Sequence, residues 1–182
     1  EAHPTELYRK AAKLGFTSLR FPEEYGGQGY GVLEECLVTE EMCRADPGLG
    51  VAVMSGTFAS DIIMEHGTPE QKKKYISLLC SGEFLSAGAF TEPAHGSDIS
   101  RMDTTAVKSG DEWLINGSKT FITNAPVANF FLVLCQTDPK VEPSYRGESI
   151  IIVDRNTPGV DVNQLKDKMG IRPAITGEVS FS

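Results

Sequence analysis

Two short blocks of the chain carry residue types that could hold a flat or anionic ligand. The first reads AFTEPAHGSD, at residues 89–98, and the second reads INGSKTFITN, at residues 115–124. Each block places a turn-forming glycine beside serine or threonine hydroxyls at the end of an apolar run. Because glycine lets the backbone approach a ligand closely, the blocks predict backbone N–H groups and hydroxyls arranged around such a ligand.

One carboxylate, Asp61, interrupts the apolar run at residues 51–64, which precedes these blocks. Asp61 lies within residues 49–66, which the sequence predicts to be one helix. At 3.6 residues per turn, Asp61 falls roughly on the same face as Phe58 and Met54. An ionised aspartate is rarely buried unless it is paired or functional. Asp61 is therefore a candidate catalytic base or polar pocket residue, and the alternative is that it points outward or pairs with a lysine or arginine.

The elements that must position these residues divide the chain into a helical part and a β part. Hydrophobic periodicity predicts helices at about residues 5–14, 32–44, 49–66 and 68–80. The last of these begins with Thr68 as N-cap, Pro69 at the first position and Gln71 completing a capping box. After residue 84, strand-like runs appear at residues 85–90, 104–107, 113–115, 120–123, 130–135, 149–153 and 160–162. Asn116-Gly117, between two of these runs, predicts a hairpin turn.

This order predicts an α+β protein of two domains. We expect an N-terminal α-helical domain at residues 1–84, followed by a small antiparallel β-barrel or sandwich domain at residues 85–182. The final residues, 178–182, alternate like a strand that stops in mid-course. We therefore expect both domains to be truncated parts of a longer protein.

Composition and charge argue against several classes of partner. The 182 residues carry a net charge of −8, and the densest basic run is Lys72–Lys74, which argues against nucleic acid. The sequence shows no apolar run that we expect to span a membrane. The four cysteines and three histidines share no ligand-like spacing, so neither a metal site nor a disulfide framework is expected.

The order of motifs along the chain resembles that of the acyl-CoA dehydrogenases. The motifs are PEEYGGQG at residues 22–29, TEPAHGSD at 91–98, INGSKTFITN at 115–124, TPGV at 157–160 and MGIR at 169–172. The resemblance implies an N-terminal helical domain and a middle β-domain, with the family's C-terminal helical domain absent from this chain. It also implies an enzyme that dehydrogenates an acyl-CoA thioester: a carboxylate base takes a proton from carbon 2, and a hydride passes from carbon 3 to the flavin N5.

By this resemblance, FAD would lie between the two blocks. The cofactor-binding residues would be Gly88, Ala89, Phe90, Thr91, Gly96, Ser97, Phe121, Ile122 and Thr123, and the substrate contacts would be Met54, Phe58, Ser97 and Arg146. Phe121 would lie against the ring face, and Thr91 and Thr123 would bond its polar atoms. Taken singly, each of these three is better explained as a strand or core residue. Their joint occurrence in matching motifs favours the flavin interpretation.

Two acids within the first block invite a catalytic interpretation. We expect Glu92 and Asp98 instead to fix the loop by accepting hydrogen bonds from backbone N–H groups. In most of the family the base is a glutamate of the C-terminal domain. A subset acting on cyclohexane- or cyclohexene-carboxyl-CoA is thought to use an aspartate from the region of Asp61, so the resemblance extends to an alicyclic substrate.

The resemblance further implies a homotetramer that passes electrons to an electron-transferring flavoprotein, in a bacterial cytoplasm or the mitochondrial matrix. Two alternatives remain open at this point. An acyl-CoA oxidase would share the fold and react with oxygen, whereas a non-catalytic relative would use the fold as a scaffold.

Overall fold

The fold is a layer of short helices packed against a curled, seven-stranded mixed sheet, in a computed structural model that describes residues 2–182. The helices are α1 (Thr5–Lys13), α2 (Val32–Ala45), α3 (Pro47–Met54), α4 (Asp61–His66), α5 (Pro69–Gln71) and α6 (Ser77–Cys80), with a π-helical segment at Lys72–Ile76. Short 3-10 turns lie at Glu23–Tyr25, Ser55–Thr57 and Ser144–Gly147. The strands are β1 (Ser86–Ala89), β2 (Thr105–Ser109), β3 (Glu112–Thr123), β4 (Phe130–Gln136), β5 (Glu148–Asp154), β6 (Val160–Leu165) and β7 (Thr176–Phe181).

The capping box predicted before α5 is present. The hydroxyl of Thr68 accepts from the N–H of Gln71 at 3.2 Å, and Oε1 of Gln71 accepts from the N–H of Thr68 at 2.9 Å. Two N–H groups that the first turn leaves without helical partners are thereby satisfied. The local sequence therefore sets where this helical segment begins.

The single helix predicted over residues 49–66 is wrong, because the chain breaks between α3 and α4. Ala59 lies in the left-handed region at φ 68, a conformation that no continuous helix contains. The carbonyl of Phe58 accepts instead from the Ser86 hydroxyl at 2.8 Å, and Ser60 Oγ lies 2.9 Å from Ser86 Oγ. Contacts with β1 thus replace helical hydrogen bonds, and Asp61 begins a new helix.

The broken stretch also bears on the expectation that no segment spans a membrane. By length and composition alone, Pro47–His66 is long and apolar enough to cross a membrane. The same test is passed by core helices of globular proteins, so it is weak support for a span. Within this stretch Ala52, Val53 and Ile63 are buried against other parts of the protein.

The sheet is mixed rather than wholly antiparallel as predicted. Its order is β1-β4-β2-β3-β7-β6, with β5 pairing on β4. Strand β1 runs parallel to β4, and β2 meets β4 in parallel through the single pair Thr105↔Gln136. The remaining pairs are antiparallel. The connection from β1 to β4 passes through the β2–β3 hairpin, and it returns the chain in the original direction.

The hairpin predicted at Asn116-Gly117 is also wrong. Strand β3 continues through both residues, and the reversal occurs between Ser109 and Glu112. Gly117 has another role, because a Cβ there would lie 2.5 Å from the Thr104 hydroxyl oxygen. The glycine permits close packing of two segments rather than a turn.

Strand β4 is buried on both faces and joins the helical layer to the sheet. Phe131, Val133 and Cys135 pack into the core of the β-domain. Phe130 and Leu132, on the opposite face, pack against helical residues; the main members of that cluster are Phe21, Ile63, Tyr75, Ile76, Leu79 and Cys80. This division follows from the alternation of side chains along a strand. Each of these large side chains contributes about 1.5–3 kcal/mol through its burial.

We predict that Phe130→Ala will lower the free energy of unfolding by about 3–5 kcal/mol, because it leaves a cavity between the two layers. Phe130 is 0% exposed, and the centroid of its ring lies 4.6 Å from the ring centroid of Tyr75. The measurement is chemical denaturation followed by circular dichroism. Phe121→Ala is the matched control, since the Phe121 side chain is 69% exposed, and should cost less than about 0.5 kcal/mol. Equal losses in the two variants would contradict the role assigned to β4.

Candidate functional site

The two sequence blocks lie side by side in the fold. The N–H of Thr120 donates to the carbonyl of Thr91 at 2.9 Å. The neighbouring Lys119 ammonium donates to the carbonyl of Phe90 at 3.0 Å. The structure therefore brings together the residues on which the expected ligand site depends, although they lie about thirty positions apart.

A buried ion pair supports this junction. Lys119 Nζ lies 2.8 Å from a carboxylate oxygen of Glu92, and their side chains are 0% and 2% exposed. Glu92 also accepts from the N–H groups of Asp103 and Thr104, at 2.7 and 2.8 Å. Burial opposes ionisation of Glu92, but the hydrogen bonds from Lys119 and these N–H groups outweigh it and hold its pKa below the ordinary value.

The loop-fixing roles expected of the two acids are confirmed. Glu92 orders the segment that leads into β2 through the two N–H groups just described. Asp98 accepts from the N–H of Ser100 at 3.1 Å, within an exposed turn. Both carboxylates therefore accept hydrogen bonds from backbone N–H groups of the segment between β1 and β2.

Sequence reasoning missed Lys119, although a signal was available. Ile115, Gly117 and Lys119 share one face of β3, because side chains alternate along a strand. Ile115 and Gly117 turn toward the protein, so a lysine two residues further on is placed inward as well. A lysine at an inward position requires a partner, and Glu92 is the nearest acid of the first block.

The Phe121 side chain is exposed to solvent, at a point where the pairing of β3 with β7 is irregular. The register between β3 and β7 shifts between Lys119 and Ile122, and Phe121 lies there in the left-handed region at φ 56. Such a conformation costs about 1–3 kcal/mol for a residue other than glycine, and these residues concentrate at functional sites. Ile122 is 2% exposed and belongs to the core, so its side chain is unavailable to a ligand.

Gly88 is required by packing inside the protein. A Cβ at this position would lie 2.9 Å from ring atoms of both Phe58 and Phe90. The glycine therefore allows the two aromatic side chains to approach β1. Gly96, by contrast, faces open space, with no atom within 4 Å of a Cβ built on it.

The second block ends on a residue that ties the two layers together. Asn124 is fully buried in the left-handed region at φ 66. Its side-chain amide donates to the carbonyl of Ser55 at 2.6 Å and to that of Ser86 at 3.3 Å. Asn124 begins a turn, and its side chain holds the break between α3 and α4 against β1.

A cavity of about 380 Å³ opens at this break. It unites candidate substrate and cofactor residues, and its principal side chains are Arg20, Glu35, Met54, Phe58, Asp61 and Phe90. Among residues 2–182, those lining it include neither Ser97 nor Arg146. Ser97 lies on an exposed loop, and Arg146 is exposed on the 3-10 turn Ser144–Gly147.

Asp61 reaches the cavity as one member of an ionic cluster. Its carboxylate lies 2.6 Å from Nη2 of Arg20, whose Nε lies 2.6 Å from Glu35. Burial disfavours the charged guanidinium, but the two carboxylates outweigh this effect and raise the pKa of Arg20. The arginine partner considered as an alternative is therefore present, and Asp61 lines the cavity as well.

Three side chains near the first block approach the spacing of metal ligands. Glu92, His95 and Asp103 bring ligand atoms within 4.8 Å of one another. The oxygens of Glu92 already accept from Lys119 and two N–H groups, however. The pattern is explained by loop structure and carries no metal assignment.

Two family models match consecutive parts of this chain. The model described as acyl-CoA dehydrogenase, N-terminal domain, matches residues 1–83, and that described as acyl-CoA dehydrogenase, middle domain, matches residues 87–182.

Relatives of known name show the same similarity. The chain is 37% identical to the short-chain specific acyl-CoA dehydrogenase of Clostridium acetobutylicum over 100% of this chain and 48% of that protein. It is 36% identical to the mitochondrial isovaleryl-CoA dehydrogenase of Pongo abelii over 97% of this chain and 42% of that protein. The chain thus spans about half the length of these relatives.

Solved structures agree along the whole chain. An acyl-CoA dehydrogenase from Geobacillus kaustophilus superposes with a TM-score of 0.92 at 35% identity, over 100% of this chain and 48% of that one. A glutaryl-CoA dehydrogenase from Mycobacterium smegmatis, solved in complex with FADH2, superposes with a TM-score of 0.90 at 28% identity, over 100% of this chain and 45% of that one.

We predict that the free energy of unfolding decreases as the pH falls, and that ionised Glu92 accounts for part of this decrease. Its pKa is lower in the folded state than the ordinary value of 4.5, so its contribution is complete above that value and is lost as the pH falls through the folded pKa. Glu92→Gln should cost about 3–5 kcal/mol at neutral pH and should flatten the dependence of unfolding free energy on pH below 4.5.

Denaturation curves at a series of pH values measure this effect. Asp98→Asn is the control, because the Asp98 carboxylate is exposed and also has a lowered pKa, set mainly by hydrogen bonds from Ser100. If Glu92→Gln and Asp98→Asn gave the same profile, the assigned role of the buried pair would be wrong.

Proposed function

This chain belongs to the acyl-CoA dehydrogenase family, and we propose that it serves the FAD-dependent α,β-dehydrogenation of an acyl-CoA thioester. The observation that carries the proposal is the junction of the two blocks, where backbone hydrogen bonds and a buried ion pair hold Thr91 beside the strand that presents Phe121. Bound FAD would supply the hydride acceptor for the reaction. The protein's own residues would bind the flavin ring, orient the thioester and receive a proton.

The residues at this junction fit a flavin. Phe121 offers an exposed aromatic face, suited to stacking on an aromatic ring. Thr91 and Thr123 are partly exposed, and neither hydroxyl has a hydrogen-bond partner within the described residues 2–182. We propose that these hydroxyls bond the polar edge of the ring and the region of its reactive nitrogen, while Ala89 and Ile122 support the site from the core.

The loop after Thr91 would contribute to both ligands. Gly96 leaves room for close approach of a ligand, since the space around it is open. Ser97 is exposed next to it and is proposed to contact flavin and CoA. Arg146, also exposed, is proposed as a contact for CoA, which its charge suits.

We further propose that Asp61 acts as the base, toward an alicyclic acyl group of the cyclohexane- or cyclohexene-carboxyl type. Asp61 shares a cavity of about 380 Å³ with Met54, Phe58 and Phe90. A cavity of this volume lies within the range of small-molecule binding sites. Arg20 binds one carboxylate oxygen, and the other has no hydrogen-bond partner among residues 2–182.

The remaining partners follow the family resemblance. We propose a homotetramer that passes electrons to an electron-transferring flavoprotein. We place it in a bacterial cytoplasm or the mitochondrial matrix, because its named relatives include a bacterial and a mitochondrial enzyme.

The test is anaerobic titration of the purified full-length protein with a panel of acyl-CoA thioesters. We expect the protein to be yellow and its visible flavin absorbance to be bleached by cyclohexane-carboxyl-CoA. Straight-chain thioesters are included to determine the substrate class. No bleaching with any thioester would favour the scaffold alternative. In a separate aerobic assay, oxygen consumption without another acceptor would favour the oxidase.

Asp61→Asn tests the proposed base. Loss of a general base slows the chemical step by about 10²–10⁴-fold, so we expect that decrease in the rate of flavin bleaching at saturating substrate. Glu35→Gln is the matched control, because Glu35 lines the same cavity and binds the same arginine. A change in substrate affinity alone would instead identify Asp61 as a polar pocket residue.

A further inference from the structure

Lys119 belongs to neither the expected cofactor contacts nor the expected catalytic residues, yet it occupies the centre of the junction. Its ammonium is within hydrogen-bond distance of the Phe90 carbonyl at 3.0 Å, the Glu92 carboxylate at 2.8 Å and the Met102 sulfur at 3.3 Å. The side chain is completely buried. A buried lysine carries a large desolvation cost, so the position calls for a physical account.

Three consecutive residues of the first block are each held at this point. The carbonyl of Phe90 accepts from Lys119, and the carbonyl of Thr91 accepts from the N–H of Thr120. Glu92 is held by Lys119 on one side and by the N–H groups of Asp103 and Thr104 on the other. Two adjacent residues of β3 therefore determine the position of the segment that carries Thr91.

Lys119 also marks the point at which β3 changes register. It pairs with Val179 of β7 as the last residue before the shift, and pairing resumes at Ile122. Phe121 lies between the two in its left-handed conformation. Because Phe90 and Glu92 hold the Lys119 ammonium, they also hold β3 in place two residues before Phe121, whose side chain projects from the strand.

Stability alone gives a weak reason for a buried ion pair here. Apolar side chains of similar volume often replace such pairs without loss of stability. What an apolar residue at position 119 cannot do is donate a hydrogen bond to the Phe90 carbonyl and to Glu92 together. The distinctive contribution of Lys119 is therefore geometric, in the spacing of the two blocks.

We propose that Lys119, held by Glu92, is a positioning residue that fixes the two blocks at the spacing required to bind the flavin. This inference rests on the proposed function. Lys119 would contact neither the substrate nor the reacting atoms, and it would act through the segment at Phe90 and Thr91 and through the strand that presents Phe121.

The experiment uses the full-length protein stripped of FAD and then titrated with FAD. We expect Lys119→Met to weaken FAD binding at least tenfold and to change the visible spectrum and midpoint potential of the flavin that remains bound. Lys74→Met is the matched control. It removes a lysine whose 2.9 Å ion pair with Asp154 is about half exposed, and it should leave the affinity for FAD within twofold of the wild type.

A second variant separates positioning from folding. Lys119→Met alone leaves the Glu92 carboxylate buried without its partner, and adding Glu92→Gln removes that charge. The double variant should therefore show a cooperative unfolding transition. Its affinity for FAD should remain at least tenfold weaker, because the Phe90 carbonyl still lacks its donor. All titrations are made at a temperature where circular dichroism shows the native baseline.

The possible outcomes distinguish the two proposals. If both folded variants bound FAD with wild-type affinity and an unchanged potential, the positioning role would be overturned while the proposed function stood. If the wild-type full-length protein took up no FAD, the proposed function itself would fail, and this inference with it.

Discussion

The two-sided burial of β4 is the constraint on which the rest of the structure depends. Its apolar run sends alternate side chains into the core of the sheet and into the helical layer. Neither set can leave its cluster without exposing large apolar surface to water. The helices are therefore held against the sheet at one fixed face, and the site forms along the line where the two layers meet.

Polar contacts then decide the local shape along that line. The Ser86 hydroxyl donates to the carbonyl of Phe58, as a backbone N–H would in a continuous helix. The Asn124 side-chain amide donates to the carbonyl of Ser55. The first bond satisfies a carbonyl group that the break between α3 and α4 leaves without a helical partner, and the second adds to the bond that the Ser55 carbonyl accepts from the N–H of Phe58. The break opens the cavity, and it turns Asp61 toward Arg20 rather than along a continuous helical face.

The ion pairs at the two ends of the site differ in how far they are exposed to water. At the junction of the blocks, Glu92 and Lys119 are sealed from water and use nearly all of their hydrogen-bonding capacity within the protein. In the cavity, Arg20 is shared by two carboxylates that stay partly exposed. The first arrangement suits a rigid support, whereas the second leaves carboxylate oxygens able to meet a ligand.

The sequence by itself determined the family, the succession of helices and strands, and the capping box at Thr68, because these depend on local motifs and on periodicities of a few residues. It also identified Glu92 and Asp98 as loop-fixing acids. It could not predict that Gly117 lies inside a continuous strand, since Asn-Gly favours a turn locally and only the approach of Thr104 requires glycine there. Nor could it show the break at Ala59, the parallel pairing of β1 with β4, or the partners of Lys119 and Asp61. Those features were decided by the tertiary structure, because each depends on groups that are distant in the chain and meet only when the two layers pack.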